Sequence, residues 1–167
     1  IDINSFDWSN TGTYNSAMTT IQFIDEFKKN NVAGQNNIPA DIYDHINFDI
    51  SVALASWTIT LTAKDTSTKY FGTKQIDINA KINVVSLNWI STGDYSIDMA
   101  KDHILNVFKQ NNPSGQHGLP DDVYENVDVT NDGESKWTIS ITAKDTSTTY
   151  IGQDNIRISA SGSITYD

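Results

Sequence analysis

The chain contains the same text twice. Residues 57–72 read WTITLTAKDTSTKYFG and residues 137–152 read WTISITAKDTSTTYIG, identical at twelve of sixteen positions with an offset of 80. Upstream the offset becomes 81: Trp8, Gly12, Tyr14, Met18, Phe27, Gly34, Pro39 and Tyr43 face Trp89, Gly93, Tyr95, Met99, Phe108, Gly115, Pro120 and Tyr124. A period of this size means that one supersecondary unit is repeated, each copy with its own apolar face to hide. The one-residue difference falls where residues 53–56 face residues 134–136, a place where a turn absorbs a length change. The repeat therefore predicts two domains, residues 1–80 and 81–167.

Hydrophobic periodicity gives both copies the same order of elements. Ile1, Ile3, Phe6 and Trp8 alternate as in a strand, as do Ile82, Val84, Leu87 and Trp89. Polar stretches at 9–12 and 91–93 offer helix caps. Ala17, Ile21, Ile24 and Phe27, then Ile97, Ala100, Ile104 and Phe108, recur at helical spacing, predicting helices of about fifteen residues that stop at Asn30–Asn31 and Asn111–Asn112. Ile46-Phe48-Ile50 and Val127-Val129 mark a second strand, and Asn131-Asp132-Gly133 a hairpin turn after it. Trp57, Ile59, Leu61 and Ala63, matched by Trp137, Ile139, Ile141 and Ala143, mark a third. Ile76, Ile78 and Ala80, with Ile156, Ile158 and Ala160, mark a fourth. The expected fold is α+β: two tandem β-α-β-β-β repeats, each with one helix across one face of an antiparallel sheet whose other face is polar and rich in Thr. Between residues 75 and 89 the apolar alternation changes phase, predicting one strand running from copy to copy with a kink near Val85 and Ser86.

Composition excludes whole classes of function. With 11 Lys+Arg against 21 Asp+Glu the net charge is −10, a field that opposes binding to nucleic-acid phosphates. Zero Cys removes disulfides, thiolate metal sites and a cysteine nucleophile. No apolar run is long enough to span a bilayer. No basic segment followed by an apolar stretch opens the chain, so no signal peptide is expected within it.

Candidate chemistry is sparse. His45, His103 and His117 face Asn126, Gln22 and Asn36, so histidine is no part of the repeated design; solvated surface positions are expected, and no metal. Asp41 and Asp122, Asp44 and Glu125, and Asp65 and Asp145 are repeated carboxylates, read as turn closers. Residues 128–133 match only the start of a calcium loop, since Ile139 stands where the bidentate Glu belongs. A Lys near a Ser in the doubled KDTST segment suggests a Ser–Lys pair, but the segment joins two strands and reads as a hairpin loop. If the protein binds something, Lys64, Asp65 and Thr66, with Lys144, Asp145 and Thr146, are the candidate residues. Trp57 and Trp137 open apolar strand faces and belong in the core; sugar stacking by the four Trp is the weaker reading. No cofactor is expected.

The opening apolar strand, the helix ending in Asn, the Leu-Pro-Asp-Asp entry (residues 119–122) into V-x-V-T-N (residues 127–131), the T-I-x-I-x-A strand and the T-x-Y-x-G turn together resemble the tandem repeats of surface lipoproteins from wall-less bacteria, the lipoprotein 17-related type. The resemblance covers nearly the whole chain. It implies an extracellular, cell-surface location and attachment to a host or cell-surface protein, and it supplies no catalytic residues. The lipid-bearing Cys of such proteins is not in this chain, so any membrane attachment would come through an anchor outside it. The element order also resembles cystatin-type cysteine-protease inhibitors, but their Q-x-V-x-G hairpin is replaced at residues 52–57 by VALASW. The leading expectation is a non-enzymatic, monomeric tandem surface module for adhesion or spacing. The alternatives are a cystatin-like or other soluble protein-binding domain, then a carbohydrate-binding module.

Overall fold

The structure is a computed structural model describing residues 1–53, 56–132 and 137–158. It is α+β, with antiparallel three-stranded sheets, and the chain divides into two compact units, Ile1–Ile82 and Asn83–Asp167.

In the first unit the expected opening strand is reduced to a single parallel bridge between Asp2 and Phe71. The cause is local. The Asp2 carboxylate accepts from the Asn4 amide at 3.0 Å and the Ser5 hydroxyl donates back to the Asp2 carbonyl at 2.6 Å, folding Ile3–Ser5 into a 3-10 turn. Short polar side chains that bond their own main chain compete in this way with extended structure. Helix α1 is Thr20–Asn30, eleven residues against the expected fifteen. It starts late because Thr19 and Gln22 form a reciprocal capping box, while the main chain at Tyr14 and Ser16 is tied to Lys81. Ile21, expected on the buried stripe, is 72% exposed, and Ala17 precedes the helix; Phe23 and Phe27 make the buried face.

Strands β1 (Ile46–Val52), β2 (Ser56–Ala63) and β3 (Thr73–Asn79) form a meander in that order. Trp57, Ile59, Leu61, Ile76 and Ile78 are buried beneath α1. Phe23 stacks on Trp57 with centroids 4.2 Å apart, and Phe27 meets Trp8 and Phe48 at 5.8 and 5.9 Å. The opposite face is a polar grid: registered rows Asn47–Thr62–Thr73, Asp49–Thr60–Gln75 and Ser51–Thr58–Asp77.

The second unit follows the same course. The two-residue β4 (Ile82–Asn83) pairs with β7 (Tyr150–Ile151) and runs into a 3-10 turn, Val84–Ser86, whose Val85 amide is held by the Asn83 side chain at 3.2 Å. The strand expected to run from one copy to the next is therefore broken: β3 ends at Asn79, and the phase change is that turn. Helix α2 is Lys101–Asn111, with Ile104 and Phe108 buried and Ile97 and Ala100 ahead of it. A short helix, α3 (Val123–Asn126), leads into β5 (Val127–Asp132), β6 (Trp137–Ala143) and β8 (Gln153–Ile158). Asn131 and Asp132 belong to β5 and not to a turn; Gly133 and Ala160 lie outside the described residues. The outer face again carries polar rows, Asp128–Thr142–Gln153, Thr130–Ser140–Asn155 and Asp132–Thr138–Arg157.

Candidate functional site

Two polar constructions recur in both units. The first sits at the helix C-terminus, where unsatisfied carbonyls need donors. Asn31 is 2% exposed. Its Oδ1 accepts from the Ser9 amide at 2.7 Å, and its Nδ2 donates to the carbonyls of Ser9 and Phe27, each at 3.0 Å. Its own carbonyl accepts the Tyr43 hydroxyl. Asn112 repeats this with Ile90 (2.6 and 2.9 Å), Phe108 (2.9 Å) and the Tyr124 hydroxyl (2.5 Å). Trp8 and Trp89 lie beside these latches, half-buried, their indole N–H groups donating to Ile3 and Val84 carbonyls at 2.9 Å. Lys28 and Lys109 place their ammonium groups 5.1 and 5.3 Å from the Tyr43 and Tyr124 ring centroids. Burial raises the Tyr43 hydroxyl pKa and pushes that of Tyr124 up to about 12.

The second construction is the doubled KDTST loop, which connects β2 to β3 and β6 to β7. Lys64 Nζ donates to the Asp44 carbonyl and Lys144 Nζ to the Glu125 carbonyl, both at 3.0 Å. The lysines are thus turned to main chain and do not activate a serine. Ser67 Oγ accepts from the Tyr70 amide at 3.0 Å and the Lys69 amide at 3.3 Å; Ser147 does the same for Tyr150 and Thr149. Tyr70 donates to Asp41 at 2.6 Å and Tyr150 to Asp122 at 2.7 Å. Asp65, Thr66, Asp145 and Thr146 are exposed at the loop tips. Of the sequence candidates, the lysines therefore anchor the loop, and the aspartates and threonines face solvent.

The first unit adds charge to this clasp. Asp41 Oδ2 lies 2.7 Å from Lys69 Nζ and 3.5 Å from His45 Nε2, while His45 Nδ1 lies 3.0 Å from Ser67 Oγ. The hydrogen bond from Lys69, then that from Tyr70, holds the Asp41 carboxyl down at about 2. Ser, His and Asp are in contact here, yet the serine oxygen already receives two amides, leaving it poorly placed to attack. The second unit shows what the histidine does. Asn126 stands in its place, its Oδ1 accepting from Ser147 at 3.3 Å and its Nδ2 donating to the Asp122 carbonyl and carboxylate at 2.9 and 3.3 Å. An imidazole with Nε2–H toward Asp41 and Nδ1 accepting from Ser67 reproduces that pattern. His45 is thus a half-buried clamp, where a solvated histidine was expected; the His45/Asn126 exchange of one donor–acceptor side chain for another was the available signal. His103 and His117 are exposed as expected.

The remaining candidates separate cleanly. Trp57 and Trp137 are buried, 3% and 4% exposed. Among the described residues no cluster of three or more His, Cys, Asp or Glu could hold a metal ion, and no helix is long and apolar enough to cross a membrane. Comparison with protein-family models, curated proteins and solved structures gave no significant match.

Proposed function

We propose that the chain is a non-enzymatic tandem module of a larger bacterial surface protein, built from two copies of one β-α-β-β-β-derived unit and presenting its exterior to a host or cell-surface protein. It is monomeric, needs no cofactor, and reaches the membrane only through an anchor outside this chain. One observation carries the reading. The repeated polar residues (Asn31 and Asn112, Tyr43 and Tyr124, Lys64 and Lys144, Ser67 and Ser147) bond main chain of their own unit at matching positions, so what the two copies share is scaffold. Their exteriors differ: the exposed apolar residues Ile21, Val32 and Val85 face Asp102, Pro113 and Asn4. Doubling a module multiplies weak contacts without site chemistry.

Protease shaving of intact source cells tests the location, and beads coated with the full chain, applied to host cells, test adhesion. Release of peptides from this chain by shaving, together with adhesion above that of albumin-coated beads, is expected. A chain protected from protease until the cells are lysed, or bead adhesion equal to albumin, would overturn the reading.

A further inference from the structure

Each three-stranded sheet has β1 or β5 as an open edge, and the hydrogen-bond phase shows which main-chain groups that edge offers. In the first unit Lys64 N–H donates to the His45 carbonyl and Ala53 N–H to the Ser56 carbonyl, so Asn47, Asp49 and Ser51 direct their main-chain groups toward β2. The N–H and C=O groups of Ile46, Phe48, Ile50 and Val52 then point away from the sheet, and none of them makes a hydrogen bond among the described residues. The far edge, along β3, is engaged at its two ends, while the outward main-chain groups of Gln75 and Asp77 make no hydrogen bond among the described residues. Phe71 exchanges bonds with Ile1 and Ile3, Asn4 Nδ2 donates to the Thr73 carbonyl at 2.8 Å, and Lys81 exchanges bonds with Tyr14 and Ser16.

In the second unit β5 holds the place of β1 at the edge of its sheet. Lys144 N–H on the Asn126 carbonyl sets the phase, and Val127, Val129 and Asn131 face outward from β5. A second observation falls on this edge. The Asn131 side chain is 7% exposed, and neither its oxygen nor its nitrogen has a partner among the described residues, a state that native interiors rarely tolerate.

We propose that β1 and β5 accept an added antiparallel strand from another protein, one that alternates apolar residues with Lys or Arg. This rests on the protein-binding reading above and names its partner class. Natural edge strands are protected by Pro, Lys or a bulge; residues 46–52 read INFDISV, pair residue for residue with β2, and end in a Val52 that is 61% exposed. Main-chain bonds would supply affinity, and the alternating side chains specificity. Charge selects the occupant. A second copy paired about Asp49 would set carboxylate against carboxylate in a molecule of net charge −10. An incoming strand with its apolar side chains beside Phe48 and Ile50 places its other set beside Asn47, Asp49 and Ser51, or beside Asp128, Thr130 and Asp132, where a cation is favoured.

The test uses the full chain and three capped octapeptides: alternating Val and Lys, alternating Val and Glu, and the Val/Lys peptide N-methylated at alternate amides. Amide hydrogen exchange is followed by NMR at Phe48, Ile50, Val52 and Val129. The Val/Lys peptide is expected to slow these amides about tenfold or more, and the other two to leave them unchanged. Val52→Pro removes an outward N–H that β2 does not use; it should weaken the first-unit response about fivefold while Val129 responds as before. Outward amides already protected without peptide, or equal effects of the three peptides, overturn the proposal. Adhesion of chain-coated beads without any peptide response would sink strand addition alone; a peptide response in a chain that shaving cannot reach would sink only the surface reading.

Discussion

Replacing Asn31 probes the part of each unit on which most depends. Asn31→Ala deletes the three side-chain bonds to Ser9 and Phe27 and strands their main-chain partners. At about 1 kcal/mol net per bond the loss is about 3 kcal/mol. A unit of this size holds about 4–12 kcal/mol in all, and the loss corresponds to a fall of about 12–24 °C in the unit's midpoint. Asn31→Asp is harsher. It keeps the acceptor for Ser9 N–H but sets a second oxygen 3.0 Å from the Ser9 and Phe27 carbonyls, at the negative end of α1. The native state then favours the protonated acid, so that carboxyl titrates above its unfolded value. Relative to wild type, the deficit is greatest at pH 7, narrows as pH falls through the raised native pKa, and levels off below about pH 4 at the cost of the one donor bond that a single O–H cannot make. Urea unfolding followed by hydrogen exchange, with peptides from residues 1–53 read against those from 83–132, measures both. A loss below about 1 kcal/mol for Asn31→Ala, or an Asn31→Asp deficit constant between pH 7 and pH 4, refutes the reasoning.

Three further outcomes are expected. Tyr14→Phe removes a buried hydroxyl that has no partner among the described residues and whose pKa burial pushes up to about 12; chemical denaturation should find it within about 0.5 kcal/mol of wild type, whereas Tyr43→Phe, which loses the bond to the Asn31 carbonyl, should cost about 1–2 kcal/mol. Gly72→Ala forces a side chain onto a backbone with φ +97° and sets its Cβ 2.5 Å from Asp2 Oδ1; a cost of about 1–3 kcal/mol, with faster exchange at the Ile3 and Phe71 amides, is expected. Lys69→Thr, the residue of the second unit, removes the main cause of the low Asp41 pKa. Because that pKa is depressed, the pair's contribution is present above about pH 4 and fades toward pH 2. Carboxyl carbon NMR should show Asp41 titrating closer to the ordinary carboxylate range in the variant.

The strands β1, β2, β3, β5, β6 and β8 were legible because alternation is a local property: Trp57, Ile59 and Leu61 announce a buried face on their own. The opening strand was misread because Ile1 and Ile3 alternate, while the stronger influence lay in Asp2 and Ser5, which bend the main chain between them. Helix length was recoverable from Thr19 and Gln22, a capping pair three residues apart, and the buried stripe from the three apolar positions that both copies share, Phe23 with Ile104, Ile24 with Leu105 and Phe27 with Phe108, of which the first and last pairs are buried and the middle pair half-buried. The asparagine latch was not recoverable. Asn31 and Asn112 read as helix stops, but their partners 22 residues earlier are amides and carbonyls, which leave no mark in a sequence. The KDTST loop drew attention by its repetition, and the structure gives a reason for it: Lys64 and Ser67 fold the loop onto its own unit.

Because the latch grips peptide groups and not side chains, it is indifferent to what residue 9 is. The first unit carries Ser9 there and the second Ile90, in the same embrace. Joints of this kind let neighbouring positions wander over evolutionary time without loosening the frame. The outward-turned residues can be rewritten while a few asparagines, tyrosines and glycines hold the rest in place.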